Sequence, residues 1–381
     1  MNLYEFEGKE ILNKYGLIIP RGLVVRRGSD FAQAYIDLGV KDAVVKAQVL
    51  SGKRGKNNAI KFCSSAQETA LACEELFSIQ VRNQYVAAVR IEEKLEIAEE
   101  HYLSITYDTN KKQPVLVYSQ QGGMDIEDVS DNQIEKYWAD VRQEKIESTI
   151  PGAQELWRCF LDSDCRLAEI NPLVKTKDGR WVAVDAKIAL DEDAVFRHED
   201  WKNLEARTMM GRKPTDREIA VKKIDEGANY YRGTAGKYIE MDGDIAVLFS
   251  GGGASIANMD ALLNVGLKPA NYTEYSGNPP REKVYQLAKI VLSKPGLRGL
   301  WIAGGVANFT DISETFQGII DALDEIKPEY PIVVRRAGPK EEDGMRLMRA
   351  CANRNNLKMK LFGKETPMSN TAKIMAEMLN T

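Results

Sequence analysis

From Asp244 onward the chain alternates short apolar runs with stretches of helical period, as a parallel sheet joined by crossover helices does. The runs are Ile245 to Phe249, Gly299 to Ala303, Pro331 to Val334 and Leu357 to Phe362, with another around Ala270 to Thr273. Ile312, Phe316, Ile319, Leu323 and Ile326 follow one another at spacings of 4, 3, 4 and 3, a single apolar stripe along a helix. Val284, Leu287 and Val291 repeat the stripe in the helix before it. Five strand-helix units in about 140 residues predict a doubly wound open sheet, whose ligands sit beyond the carboxyl ends of its strands.

That rule points to four strand-to-helix turns: Ser250 to Ser255, Glu274 to Pro280, Gly304 to Thr310 and Arg335 to Pro339. They hold glycines, amides, hydroxyls and an Arg pair. Glycine lets a ligand approach the backbone, helix N-termini present free N–H groups, and an Arg fork matches a carboxylate. A single such turn is ordinary backbone geometry; four on one sheet edge form a multi-point anion site.

Residues 1 to about 201 mix helices and strands less regularly. The run Val44-Val45-Lys46-Ala47-Gln48 enters a basic glycine loop, Gly52-Lys53-Arg54-Gly55-Lys56, and then Ile60-Lys61-Phe62, a hairpin whose Lys46, Arg54 and backbone N–H groups would cover a polyphosphate. Neither GxxxxGK[ST] nor GxGxxG is present, and a basic hairpin loop by itself is usually solvated surface. A second hairpin runs through Ala168-Glu169-Ile170-Asn171-Pro172, turns at Asp178-Gly179 and returns through Trp181 to Asp185. Mg²⁺ needs only a few protein oxygens when phosphates supply the rest, and Asn171 with Asp185 suffices. Taken separately, Asn171 reads as a turn-capping amide and Asp185 as a strand-end charge. The acidic cluster Glu92, Glu93, Glu96, Glu99 and Glu100 reads as solvated surface, with one or two members free to accept from an adenine amine or a ribose hydroxyl.

Composition narrows the class. The 381 residues predict two or three packed units, and 44% hydrophobic with 28% charged residues is globular usage. With 52 Lys and Arg against 56 Asp and Glu, nothing favours nucleic acid or an anionic membrane. The five cysteines lack CxxC spacing, and no apolar run reaches the roughly 20 residues of a membrane span, so a reduced, cytoplasmic chain is expected. His101 and His198 are the only histidines and neither has a triad or metal partner nearby in sequence, which argues against a histidine nucleophile in this chain.

The segments VVKAQVLSGKRGK, IEEKLEIAEEHYL, QQGGMDIEDV, AEINPLVKTKDGRWVAVDAK and SGGGASIANMDAL stand in the order seen in the β-type subunit of the succinyl-CoA ligase superfamily, and the resemblance covers essentially the whole chain. It implies an ATP-grasp nucleotide-binding domain over 1–232, with a linker at about 205–232, followed by a flavodoxin-like domain over 233–381. Within the superfamily, ANYTEYSGNPP, GGVANFTDISETFQGII and VVRRAGP resemble ATP-citrate lyase and citryl-CoA synthetase rather than succinyl-CoA ligases. Carried over by position, Lys46, Lys53, Arg54 and Gly55 match nucleotide phosphate contacts, Glu92, Leu95 and Glu100 the adenosine side, and Asn171 and Asp185 the Mg²⁺ ligands. Gly277, Asn308, Thr310 and Arg336 match citrate contacts. Gly251, Gly252 and Gly253 match the start of the helix whose N-terminal dipole faces a phosphohistidine, and together with Arg54 and Arg336 they form the expected catalytic set. Two features depart from the lyases: the stretch from Glu205 to Arg232 does not match them, and a tyrosine position associated with citrate in some of them falls at Ile326.

The resemblance implies that Mg·ATP phosphorylates a histidine of an α-type partner subunit, that citrate takes the phosphate, and that CoA, bound mainly by the partner, gives citryl-CoA. Cleavage to acetyl-CoA and oxaloacetate belongs to a lyase domain elsewhere. Two alternatives stand beside this reading: a succinyl-CoA ligase β subunit, and a non-catalytic regulatory subunit that binds nucleotide or citrate.

Overall fold

The computed structural model describes residues 1–380 apart from 53, 205–206, 208–211, 213 and 228–230. Two compact units emerge, residues 1–213 and 214–381.

In the first unit the strands Gly22–Val25, Ala88–Glu93, Ala43–Gln48 and Ile60–Cys63 form an antiparallel sheet in that order. Side chains of a strand alternate between faces, and the two inner strands use both. Ala43, Val45, Ala47, Val89 and Ile91 pack with Leu76 and Phe77 of the helix Ala66–Ser78. The alternate positions Lys46, Gln48, Arg90 and Glu92 are also buried, on the opposite face. A second antiparallel sheet is built on the long strands Ile97–Asp108 and Cys165–Thr176, and Trp157 and Phe160 of the helix Ala153–Asp162 fill its core beside Leu12 of the N-terminal helix Glu5–Lys14. Two antiparallel lobes of this kind enclose the ligand cleft of an ATP-grasp domain. Both expected hairpins form: Lys46 pairs with Ile60, and Val174 with Val182.

In the second unit the parallel strands run Asn271–Ser276, Ile245–Ser250, Gly299–Val306, Ile332–Ala337 and Met359–Phe362, chain order 2-1-3-4-5, which is the flavodoxin-like order. The stripe from Ile312 to Leu323 is buried against this sheet, as its period requires. An edge strand, Thr234–Glu240, adds antiparallel to Asn271–Ser276, a pairing the sequence reading did not anticipate. The boundary lies ahead of the expected 232/233 division: the helix Asp216–Lys222 packs on that edge strand, and Val221 and Ile224 join the second core.

Candidate functional sites

The first unit contains a cleft of about 780 Å³, lined among others by Val44, Lys46, Arg54, Leu95, Asn171 and Asp185. Gly55, Glu92 and Glu100 line it too, so the residues expected on the phosphate, adenosine and metal sides share one cavity. Lys53 lies outside the described residues.

Lys46 projects from the polar face of its strand and its Nζ donates to Val184 O at 2.7 Å, with Glu92 Oε1 at 2.5 Å and Glu5 Oε1 at 3.3 Å. Arg54 places Nη1 on Glu5 Oε2 and Nη2 on Asp185 Oδ1, the latter at 2.6 Å. Burial works against both cations, but Glu5, Glu92 and Asp185 outweigh it for Lys46, and Asp185 and Glu5 for Arg54, holding each above its ordinary pKa. Burial likewise pushes Glu5 up, yet Arg54, Lys46 and Lys9 outweigh it and hold the carboxyl well below its usual range. Lys9 is pushed down by burial, even though its Nζ pairs with Glu5 at 2.7 Å and Glu92 at 2.6 Å.

Glu92 is therefore not solvated surface. It is 1% exposed and serves as counter-ion to Lys9, Lys46 and Arg90. Its place in the strand explains this: Val89 and Ile91 face the helices, so Arg90 and Glu92 must share the other face. Glu96, Glu99 and Glu100 are exposed as expected, and Glu93 accepts from Arg21. Leu95 lies in the turn between the strands Ala88–Glu93 and Ile97–Asp108, and Glu100 lies in the first residues of the latter strand.

Asn171 Oδ1 accepts from Gly123 N at 2.8 Å and its Nδ2 donates to Met124 O at 2.9 Å; the Asn171–Pro172 peptide is cis. Asp185 Oδ1 also accepts from Ala186 N at 2.7 Å. Both residues line the cleft, and hard oxygen donors of this kind suit Mg²⁺. Among the described residues no group of three or more His, Cys, Asp or Glu is placed to hold a metal ion. His101 bonds Tyr118 and Glu99, and His198 bonds Asp164; neither lines the cleft.

In the second unit the turns after the strands meet at the carboxyl edge of the sheet. Ala307 N bonds Ala337 O at 2.9 Å, and Asn278 Oδ1 accepts from Asp311 N at 3.0 Å, tying three turns together. Gly277 follows the strand Asn271–Ser276, Asn308 is exposed and Thr310 buried in the turn after Gly299–Val306, and Arg336 ends the strand Ile332–Ala337. Arg336 is 2% exposed and reaches across the neighbouring strand: Nη1 donates to Gly305 O at 2.9 Å and Nη2 to Ser250 Oγ at 2.6 Å. A Cβ on Gly304 would stand 2.7 Å from Nη1, so only glycine leaves the guanidinium this path. Its Cζ lies 5.9 Å from the centre of the Tyr275 ring, and its Nε has no acceptor among the described residues.

Gly251, at φ 87°, makes the turn into the helix Gly252–Asn264, and Ser255 N and Oγ both bond Gly251 O. Beside this helix start stands Glu274, 3.2 Å from the point where a Cβ on Gly252 would be, held by Lys237 Nζ at 2.8 Å and Tyr272 OH at 2.7 Å. Ile326 ends its helix at the opposite edge of the sheet from these turns, so it takes no part in the group. Sequence reasoning gave no role to Glu5, Lys9 or Gln48 and took Glu274 only as part of its turn; for the first pair the signal is an i, i+4 acid-base pair on the apolar side of the N-terminal helix.

A family model for the ATP-grasp domain matches residues 2–144, and one for the ATP citrate lyase citrate-binding domain matches residues 212–378. The succinate–CoA ligase [ADP-forming] subunit beta of Desulfurococcus amylolyticus is 34% identical over 371 residues, covering 91% of this chain and 93% of that one. The [GDP-forming] subunit beta of Thermus thermophilus is 34% identical over 370 residues, at 91% and 93% coverage. The structure of ATP citrate lyase from Methanothrix soehngenii, in complex with citrate and coenzyme A, superposes with a TM-score of 0.74 at 24% identity, covering 99% of both chains. Among the described residues no helix is long and apolar enough to cross a membrane. With a cleft beside two antiparallel sheets, a 2-1-3-4-5 parallel sheet and a near full-length relative at this identity, the chain belongs to the succinyl-CoA ligase superfamily as an ATP-grasp β-type subunit.

Proposed function

We propose that this chain is the citrate-activating subunit of an ATP-citrate lyase or citryl-CoA synthetase, working with an α-type subunit that carries the phosphohistidine and most of the CoA site. The observation that carries the choice of citrate is Arg336: a buried guanidinium whose acceptors are a carbonyl and a hydroxyl, with its Nε unused and no carboxylate paired to it among the described residues. A buried charge without a counter-ion is costly, and an anionic ligand relieves that cost. A tricarboxylate can occupy the fork with one arm and reach Gly277 N–H, Asn308 and Thr310 with the others. The citrate-binding family match over this unit supports the same reading.

In the first unit Lys46 and Arg54 bind the polyphosphate of ATP, Leu95 and the turn around it border the base, and Asn171 with Asp185 are the residues that would hold Mg²⁺, whose chemistry there is to neutralise phosphate charge. Lys46 and Arg54 orient the terminal phosphate for in-line attack by the partner's histidine. The phosphohistidine then delivers its phosphoryl group to a citrate carboxylate, and the thiolate of CoA displaces phosphate to give citryl-CoA. The helix starting at Gly252 offers its free N–H groups to the phosphoryl group in transit, and Arg336 holds citrate against it.

Calorimetric titration of the chain with citrate and, separately, succinate, each in the presence of Mg·ADP, tests the reading. Citrate is expected to bind and succinate to bind at least about a hundredfold more weakly, some 2.8 kcal/mol. Succinate binding that equals or exceeds citrate binding turns the assignment to succinyl-CoA ligase. A complex that binds both ligands but turns neither over turns it to a regulatory subunit.

A further inference from the structure

The cations of the nucleotide cleft do not hold their positions unaided. The carboxylate of Glu5, only 3% exposed, joins them: Oε1 lies 2.7 Å from Lys9 Nζ and 3.3 Å from Lys46 Nζ, while Oε2 accepts from Gln48 Nε2 at 3.0 Å and from Arg54 Nη1. Glu5 is supplied by the first turn of the N-terminal helix, whose own core contacts are with the other lobe, through Leu12 and through Gly8 against Ala186. The backbone N–H of Phe6 also donates to Gln48 Oε1, at 3.0 Å, so the helix start is bound to the Ala43–Gln48 strand by main chain as well as side chain.

We infer that Glu5 is the positioning residue of the nucleotide site, the fixed carboxylate that aims Lys46 and Arg54 at the polyphosphate without touching it. The inference rests on reading the cleft as the nucleotide site. Two carboxylates, Glu5 and Asp185, share Arg54. The Asp185 side chain is 33% exposed, so water can replace Arg54 and leave Asp185 free for other partners; the Glu5 side chain is 2% exposed and has no such exchange open to it. When polyphosphate enters, Nη2 moves from Asp185 to a phosphate oxygen while Nη1 stays on Glu5, and Lys46 keeps its contact with Oε1. The fork is thereby pre-organised, and the ordering cost is met in folding rather than in binding.

The test uses the full chain and two variants of the same helix. Glu5→Gln keeps the shape and removes the charge. Glu7→Gln removes a carboxylate that caps Tyr4 N and pairs with Arg207 but touches neither Lys46 nor Arg54, so it reports the cost of loosening the helix alone. With melting temperatures measured first and calorimetry done well below them, Glu5→Gln is expected to bind Mg·ADP about tenfold more weakly and Glu7→Gln with unchanged affinity. Co-expressed with the α-type subunit, Glu5→Gln is expected to raise the KM for ATP about tenfold with kcat within about twofold, the pattern of lost ground-state binding. If Glu5→Gln does not fold, the double variant Glu5→Gln, Lys9→Met restores the charge balance of the buried face and still lacks the carboxylate, and it is held to the same expectation. Wild-type affinity in a folded Glu5 variant, or an equal loss in Glu7→Gln, overturns the inference alone. Failure of the wild-type chain to bind ADP overturns the nucleotide reading and this inference with it.

Discussion

The two units each offer cations to an anion, and they pay for burying them differently. In the first, Lys9, Lys46, Arg54 and Arg90 share one buried face with Glu5, Glu92 and Asp185, so the positive charge is nearly balanced before any ligand arrives. In the second, the buried Arg336 has a carbonyl, a hydroxyl and an aromatic face as its contacts and no paired carboxylate among the described residues. On the proposed reading, the first arrangement is a pre-set clamp in which nucleotide exchanges with an existing partner, and the second is an incomplete pair in which citrate is the missing half. Burial of a cation therefore points to a ligand only where its counter-ion is absent, and this is why the proposed choice of substrate rests on Arg336 rather than on Lys46.

The largest expected effect that tests this contrast is on stability. Glu92→Gln leaves three buried cations short of a partner and is expected to cost about 3 kcal/mol or more of unfolding free energy in a denaturant titration. Arg336→Met, which keeps volume and removes the charge, is expected to leave the melting temperature unlowered while weakening citrate about a hundredfold, near 2.8 kcal/mol, by calorimetry. A loss of stability in Arg336→Met equal to that in Glu92→Gln would erase the distinction. Gly304→Ala forces the guanidinium off its path and is expected to weaken citrate about tenfold with nucleotide affinity unchanged. The smallest effect is in acid. Glu5 and Glu92 titrate below the ordinary 4.5 in the folded chain, so their contribution to stability is complete above that value and is lost as pH falls through the depressed values. Unfolding free energy measured from pH 5 downward should fall, and less steeply for Glu92→Gln.

The second unit was the more legible in sequence because its inner strands are covered on both faces. Ile245 to Phe249 and Gly299 to Ala303 read as continuous apolar runs, and the ends of such strands mark the binding edge without further information. The edge strand Thr234–Glu240 was illegible for the opposite reason: it is paired on one side only, with a mixed burial pattern and no clean alternation. In the first unit the hairpin carrying Lys46 and Arg54 could be read from its loop, whereas the role of Glu92 could not be read from the acidic run that follows it. Its partner Lys9 lies 83 residues away, and no local period encodes a pair that distant. Only the alternation of Val89, Arg90, Ile91 and Glu92 marks that carboxylate as internal. Glu5 and Lys9 carry a similar local trace, one helical turn apart, but their partners belong to other elements.

The reach of Arg336 also has a kinetic meaning. Its bond to Ser250 closes a loop of 86 residues and crosses the strand Gly299–Val306 at a glycine, so it can form only once three strands are side by side in register. Contacts of such long sequence separation bear the loop-closure entropy first and are made late in assembly. The guanidinium thus reports on the finished sheet: a chain with any of those three strands out of register lacks this bond and, on the proposed reading, the citrate contact that Arg336 supplies.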